Sequence, residues 1–153
     1  MLDIVAAHPS TARHIATKLA RRFVSDNPPE ALVARVAARF TATGGNLRET
    51  VRAVVTSPEF FAAEHRGAKT KTPLEFVVSA VRTTGQQVRQ PRQLLTGLQQ
   101  LGMMPYMCQP PTGYDDEAAT WVSAGALVTR MNIAQQMAGT QAAAIGGPEF
   151  QRR

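Results

Sequence analysis

Apolar residues recur along this chain at the three- and four-residue spacing of amphipathic helices, and no segment shows the alternation of a half-buried strand. The pattern predicts an all-α fold, an orthogonal or irregular bundle of about five main helices with shorter helical pieces between them. The longer segments cover about residues 10–24, 27–42, 72–84, 91–101 and 123–138, and the shorter ones cover about 1–7, 46–56 and 57–61.

The starts of three helices are marked by residues that supply a side-chain oxygen to the unpaired N–H groups of a first helical turn. Ser10 is the predicted N-cap of the first long helix. Asn46 with Glu49, and Thr72 with Glu75, have the spacing of a capping box. These local signals therefore predict where the helices begin.

The pattern changes towards the C-terminal end of the sequence. In the last helix, we expect four apolar residues to face the core: Leu127, Val128, Met131 and Ile133. From Gly139 the chain is rich in Ala and Gly, so residues 139–153 are predicted to be a flexible tail. The prediction is a single helical domain over residues 1–138.

Residues 103–114 contain three prolines and no helical period. Their apolar side chains predict a Pro-rich strap near 103–114 that packs on the helices, with Tyr114 and Trp121 as the aromatic residues beneath it. Four sulfur-bearing side chains in the strap either pack flexibly or offer soft ligands for Cu(I), and packing is the favoured interpretation: Met103, Met104, Met107 and Cys108.

Composition narrows the class of protein. The single cysteine, Cys108, excludes an internal disulfide and a Cys-rich zinc site. No apolar run approaches the ~20 residues of a membrane-spanning helix, and the first residues lack the regions of a secretory signal. Because the sequence begins within a helical pattern, we expect it to be the C-terminal portion of a longer protein.

Positive charge is concentrated in the first half of the chain. The net charge is +6, residues 1–71 carry 11 cations and six anions, and residues 72–153 carry six and five. Three like-charged pairs at i,i+4 spacing lie on successive predicted helices, and each costs roughly 0.2–0.5 kcal/mol in an isolated helix. The pairs are Lys18/Arg22, Arg35/Arg39 and Arg48/Arg52. They indicate either a surface that binds an anionic partner or side chains paired with nearby carboxylates.

Other groups with possible chemistry lack a supporting pattern. His8, His14 and His65 have no carboxylate at a metal-ligating spacing, so His8 is expected to cap a helix and His14 to lie on its surface. The acidic run Asp115–Glu117 is expected to favour the positive end of the helix that follows it. No metal site or cofactor is predicted, and no catalytic motif is present.

Motifs in a fixed order cover about residues 2–138: His8–Ala16, Lys18–Val24, Gly44–Arg48, Val54–Phe60, Lys71–Val77, Pro110–Tyr114 and Trp121. In this order they resemble the C-terminal half of a bacterial family known as domain of unknown function 1800 (DUF1800). Tyr114 stands where the family commonly has Trp, and the sulfur-bearing residues at 103–108 are unusual for it.

The resemblance implies a helical protein whose relatives are usually much longer. Longer relatives often look exported, which implies an extracytoplasmic location, and their genes often lie beside those of a sulfatase-like family. No activity is settled for the family, so the resemblance assigns no catalytic residue.

The favoured hypothesis is a non-catalytic helical interaction module. Its basic face would bind another protein or the missing N-terminal part of the same protein, through His8, Arg13, Lys18, Arg21, Arg22, Tyr114 and Trp121. One alternative is a nucleic-acid-binding domain that uses Arg35, Arg39, Arg48 and Arg52. Another is the C-terminal part of a hydrolase whose remaining residues lie upstream.

Overall fold

The computed structural model describes residues 1–85, 87–88, 91–138 and 145–153. Every regular element in this part of the chain is a helix, so the predicted all-α class is confirmed. The chain divides into two compact units, Met1–Lys69 and Thr70–Arg153, where the sequence predicted one domain over 1–138. Each unit has a hydrophobic core of its own.

The first unit consists of short and medium-length helices in direct succession. In chain order these are α1 (Leu2–Ala7), α2 (Pro9–Phe23), α3 (Glu30–Ala42), α4 (Leu47–Val55), α5 (Pro58–Phe61) and a 3-10 helix (Ala63–His65). The core lies between α2, α3 and α4, and α2 faces it with alanines, whose small side chains let the helices approach closely. The buried residues are Ala16, Ala20, Val24, Leu32, Val33, Val36 and Val54.

The N-terminus of α2 differs from the prediction. His8, not Ser10, is the N-cap, and its Nδ1 accepts a hydrogen bond of 3.1 Å from the Ser10 N–H. The backbone of His8 is extended because the proline that follows disfavours the helical conformation. The other predicted caps are confirmed. The Asn46 side chain accepts a hydrogen bond from the Glu49 N–H, and Thr72 forms a capping box with Glu75.

The second unit contains α6 (Pro73–Thr84), α7 (Pro91–Gln100), α8 (Ala118–Trp121), α9 (Ala124–Ala138) and α10 (Pro148–Gln151) among its described residues. Its core joins α6, α7, α9 and the segment before α10. The buried residues are Phe76, Val77, Ala80, Leu98, Leu101, Ile133, Ala134 and Ile145.

The face that α9 turns to the core differs from the prediction. Ile133 is buried as expected, but Leu127, Val128 and Met131 are exposed. Arg130 is buried instead, three residues before Ile133 and therefore on the same face. The apolar pattern alone pointed to the wrong side because a charged residue takes a core position.

The C-terminal segment packs on the second unit where it is described. Of the predicted flexible tail, residues 139–144 lie outside the described residues, and 145–153 include α10 and the buried side chains of Ile145 and Gln151. The Lys71 N–H donates a 2.7 Å hydrogen bond to the Gln151 carbonyl. A tail was predicted because Ala and Gly dominate its sequence, and the structure corrects this for 145–153.

The segment 103–114 contains no helix, in agreement with the predicted strap, but its tip is not covered. Tyr106 has a left-handed backbone, with φ of 63°, and a fully exposed ring. Met107 beside it is 67% exposed. The expectation that both pack on the helices is therefore wrong, because the turn at Tyr106 directs them to solvent.

No helix among the described residues is both long and apolar enough to cross a membrane.

Candidate functional site

The first helix carries apolar side chains that are left exposed by the described part of the chain. In α1, Leu2, Ile4 and Val5 are 85%, 74% and 59% exposed, and the helix contributes no buried residue. Side chains of this kind are normally placed in a core, and burying each one fully is worth roughly 1.5–3 kcal/mol. This small helix therefore presents a contiguous apolar surface.

The position of α1 is fixed by contacts with α2. A turn at His8 and Pro9 joins the two helices directly. His8 has an extended backbone, and Pro9 is already the first residue of α2. The Thr11 hydroxyl donates a 2.6 Å hydrogen bond to the Val5 carbonyl at the end of α1. The end of α1 is thus held against the first turn of α2.

The solvent face of α2 is basic. His14, Lys18 and Arg22 follow one another at four-residue spacing, so they form a single row, and all three are exposed. Arg21 lies beside this row, partly buried, and its Nε donates a 3.1 Å hydrogen bond to the Asp26 carbonyl. We call α1 with this row the α1–α2 surface.

Arg13 and His8 both have partners within the chain. Arg13 forms a 2.8 Å ion pair with Glu30, and both side chains are more than 60% exposed. Exposed pairs of this kind are worth at most about 1 kcal/mol, so another anion can replace Glu30. His8 uses Nδ1 as a helix cap, which confirms the expected capping role.

Tyr114 and Trp121 belong to the second unit and have internal hydrogen bonds. The Tyr114 hydroxyl donates to the Met104 carbonyl at 2.7 Å, and the Trp121 indole N–H donates to the Asp115 carbonyl at 2.9 Å. Their ring centroids lie 6.2 Å apart in a tilted arrangement. These contacts give both aromatic residues a supporting role for the segment 103–114.

The arginines of the nucleic-acid alternative are mostly paired with carboxylates. Arg35 contacts Glu59 at 2.5 Å, while Arg39 and Arg52 contact Glu49 at 2.6 Å and 2.9 Å. The hydrogen bonds from the guanidinium groups of Arg39 and Arg35 hold the pKa values of the Glu49 and Glu59 carboxyls below their usual range.

Arg48 is exposed, and its charge also lowers the pKa of Glu49. The pairing of Arg52 with Glu49 confirms, for Arg52, the alternative interpretation of a cation that is paired with a nearby carboxylate.

The remaining polar candidates do not converge on one point. His65 has its Nε2 3.5 Å from the Glu64 carboxylate, and Asp116 pairs with Arg153 at 3.1 Å. The Cys108 thiol contacts the Pro110 carbonyl at 3.7 Å. Among the described residues, no group of three or more His, Cys, Asp or Glu side chains has an arrangement that would hold a metal ion.

Two structural features were not predicted from the sequence. Exposure of the apolar residues of α1 was not foreseen, although a helix of six residues is too short to bury both of its faces. Arg130 was not singled out, and its only signal is a charged residue three positions before Ile133 in an apolar segment.

The chain was compared with known proteins. The model of a family described as protein of unknown function, DUF1800, matches residues 1–152. This match confirms the family resemblance that the motifs indicated. No curated protein and no solved structure shows significant similarity to the chain.

Proposed function

We propose that this chain, which belongs to the DUF1800 family, is a helical binding module whose α1–α2 surface binds an acidic, partly apolar segment of another protein. The observation that carries the proposal is the exposure of Leu2, Ile4 and Val5 on α1, which is joined directly to α2 and its exposed row of basic side chains. An interface core is typically apolar and its rim polar, and these two successive helices offer both kinds of side chain.

The row on α2 supplies the charge complementarity. Lys18 and Arg22 lie on one exposed row of α2 at i,i+4 spacing, and carboxylates of a partner placed opposite this row would gain favourable interactions with both cations. The partner is therefore expected to present Asp or Glu opposite α2 and aliphatic or aromatic side chains opposite α1. Such complementarity mainly sets the association rate and the choice of partner.

A protein partner is favoured over nucleic acid because of the ion pairs on α3 and α4. Arg35, Arg39 and Arg52 would have to leave Glu59 and Glu49 to reach a phosphate backbone. The two carboxylates would then lie near the phosphates and repel them. The apolar residues of α1 also have no counterpart on duplex DNA.

The test is a selection of 20-residue peptides from a random phage-displayed library on the immobilised chain. We expect the selected peptides to be enriched in both acidic and apolar residues. Replacing Lys18→Glu and Arg22→Glu together should weaken their binding by about tenfold or more, measured by fluorescence anisotropy. The helical circular-dichroism signal should be unchanged, because both side chains are exposed.

A matched control keeps the same change in net charge. Arg66→Glu with Arg82→Glu alters two exposed cations outside the α1–α2 surface and should leave peptide binding within about twofold. Equal weakening by both variants would contradict the proposal. So would binding of duplex DNA with an affinity that falls steeply with the logarithm of salt concentration, since that behaviour marks phosphate contacts.

A further inference from the structure

The second unit contains a cleft of about 720 Å³ between α6, α7 and α9, whereas the α1–α2 surface belongs to the first unit. Its size falls within the range of small-molecule sites in proteins, roughly 300–1,000 Å³. The apolar part of its lining is formed mainly by Val77, Val81, Leu94, Ile133 and Met137. These side chains are all aliphatic, so the cleft offers a surface suited to methylene chains.

A glycine shapes the cleft where α7 approaches α9. Gly97 is buried, and a Cβ at this position would lie 3.5 Å from Cδ1 of Ile133. That distance is an ordinary van der Waals contact, so α7 and α9 meet closely at Gly97 and Ile133, which both line the cleft. The aliphatic surface therefore continues from α6 across both other helices.

The polar part of the lining is uncharged. Gln93, Thr96, Gln100 and Gln136 are exposed residues that line the cleft. A glutamine amide offers two donors and an acceptor, so it can bind a hydroxyl or an amide in either orientation. No charged side chain lies among the described lining residues.

We infer that this cleft binds an uncharged aliphatic amphiphile, a methylene chain that ends in hydroxyl or amide groups. The chain would lie against Val77, Val81 and Ile133, and the head group would reach Gln100 and Gln136 at the rim. A carboxylate or ammonium head at the rim would find no opposite charge among the described lining residues, whereas a hydroxyl or amide can exchange hydrogen bonds with the glutamine amides. No aromatic side chain lines the described cleft, so planar rings have no stacking partner.

The probe is 1-decanoylglycerol, titrated below its critical micelle concentration into the chain with labelled methionine and isoleucine methyl groups. We expect saturable shifts at Ile133 and Met137, while Met107, which is exposed outside the cleft, stays unchanged. Decanoate has the same chain with a charged head, and it should bind about tenfold more weakly. Equal affinity for decanoate, or no saturable shift, would overturn the assignment.

Variants at neighbouring glutamines provide a strict comparison. Gln100→Glu with Gln136→Glu should weaken 1-decanoylglycerol by about tenfold, because each replacement removes both amide donors and adds a charge at the rim. Gln99→Glu with Gln135→Glu introduces the same charge on the same helices at exposed positions outside the lining, and affinity should stay within about twofold. Equal weakening by both pairs would overturn the assignment.

Thr96→Trp tests the position sterically. Thr96 is exposed at the rim of the cleft, and an indole there would occupy the space that the ligand needs. Binding should be lost while the thermal unfolding temperature stays close to that of the unmodified chain. Retained binding in this variant would show that the probe binds elsewhere and would overturn the assignment.

Discussion

Arg130 is the largest side chain that the described part of the chain buries completely. Its guanidinium donates 2.8 Å hydrogen bonds to the Gln151 side-chain oxygen and to the Lys71 carbonyl. It also lies over the ring of Phe76, 5.4 Å from the centroid. Burial lowers the pKa of Arg130, and no carboxylate among the described residues pairs with it. The residue therefore connects α6, α9 and α10 through neutral acceptors.

Arg130→Ala should destabilise the protein strongly. The substitution leaves the Gln151 and Lys71 oxygens without their donor and opens a cavity beside Phe76. We expect the free energy of unfolding to fall by about 3 kcal/mol, measured by urea denaturation. Arg82→Ala is the control, because Arg82 is exposed, and its effect should stay within about 0.5 kcal/mol. Equal losses for the two variants would show that Arg130 has no special role.

At the level of whole helices, local signals were the most reliable part of the sequence. The Asn46 and Thr72 caps were predicted correctly because each uses a hydrogen bond to the residue three positions on. The buried face of α9 was not, because Leu127, Val128 and Met131 form a second apolar stripe beside the one that packs. Which stripe is buried depends on neighbouring helices, and the periodicity within α9 does not contain that information.

The capping box of α6 offers a test at this scale. Thr72 Oγ1 accepts from the Glu75 N–H, and the Glu75 carboxylate accepts a 2.8 Å hydrogen bond from the Thr72 N–H. Thr72→Ala removes half of this arrangement and should lower the free energy of unfolding by about 1 kcal/mol, measured by thermal or urea denaturation. Thr83→Ala, at an exposed position in the last turn of the same helix, should be neutral or slightly stabilising. A neutral Thr72→Ala would contradict this role of the cap.

At the scale of the molecule, contacts between distant parts of the sequence determine which segments pack together, and the apolar pattern does not predict these contacts. The hydrogen bond from Lys71 to Gln151 and the one from Arg130 to Gln151 attach the segment 145–153 to the second unit. Neither hydrogen bond can be recognised from the apolar periodicity of the sequence. The Ala- and Gly-rich composition therefore led to the prediction of a tail.

The candidate site was predictable to the same degree. Lys18 and Arg22 were identified from their spacing on one helix, and both are exposed. The partner of Arg13, Glu30, lies on another helix, and Trp121 lies in the other unit. Pairing and grouping of this kind come from tertiary structure, which is why only part of the basic face could be predicted.

Charge balance also acts on the whole molecule, which carries a net charge of +6. Glu49 and Glu59 have lowered pKa values because they accept hydrogen bonds from Arg39 and Arg35. A carboxyl with a lower pKa in the folded state stabilises the fold above its unfolded pKa, which is about 4.3 for Glu. That contribution is lost as the pH falls through the folded pKa, while the net positive charge and its self-repulsion increase.

The thermal unfolding temperature should therefore drop between pH 6 and pH 3, as followed by circular dichroism. Glu49→Gln with Glu59→Gln should lower the unfolding temperature at pH 6 and make the drop smaller, because the variant has fewer paired carboxylates to lose. Asp3→Asn with Glu149→Gln removes the same number of carboxyls at exposed positions that form no ion pair among the described residues, and it should leave the drop unchanged. If both variants reduce the decrease in unfolding temperature equally, the acid response is controlled by overall charge. The ion pairs of Arg35 and Arg39 would then not be its cause.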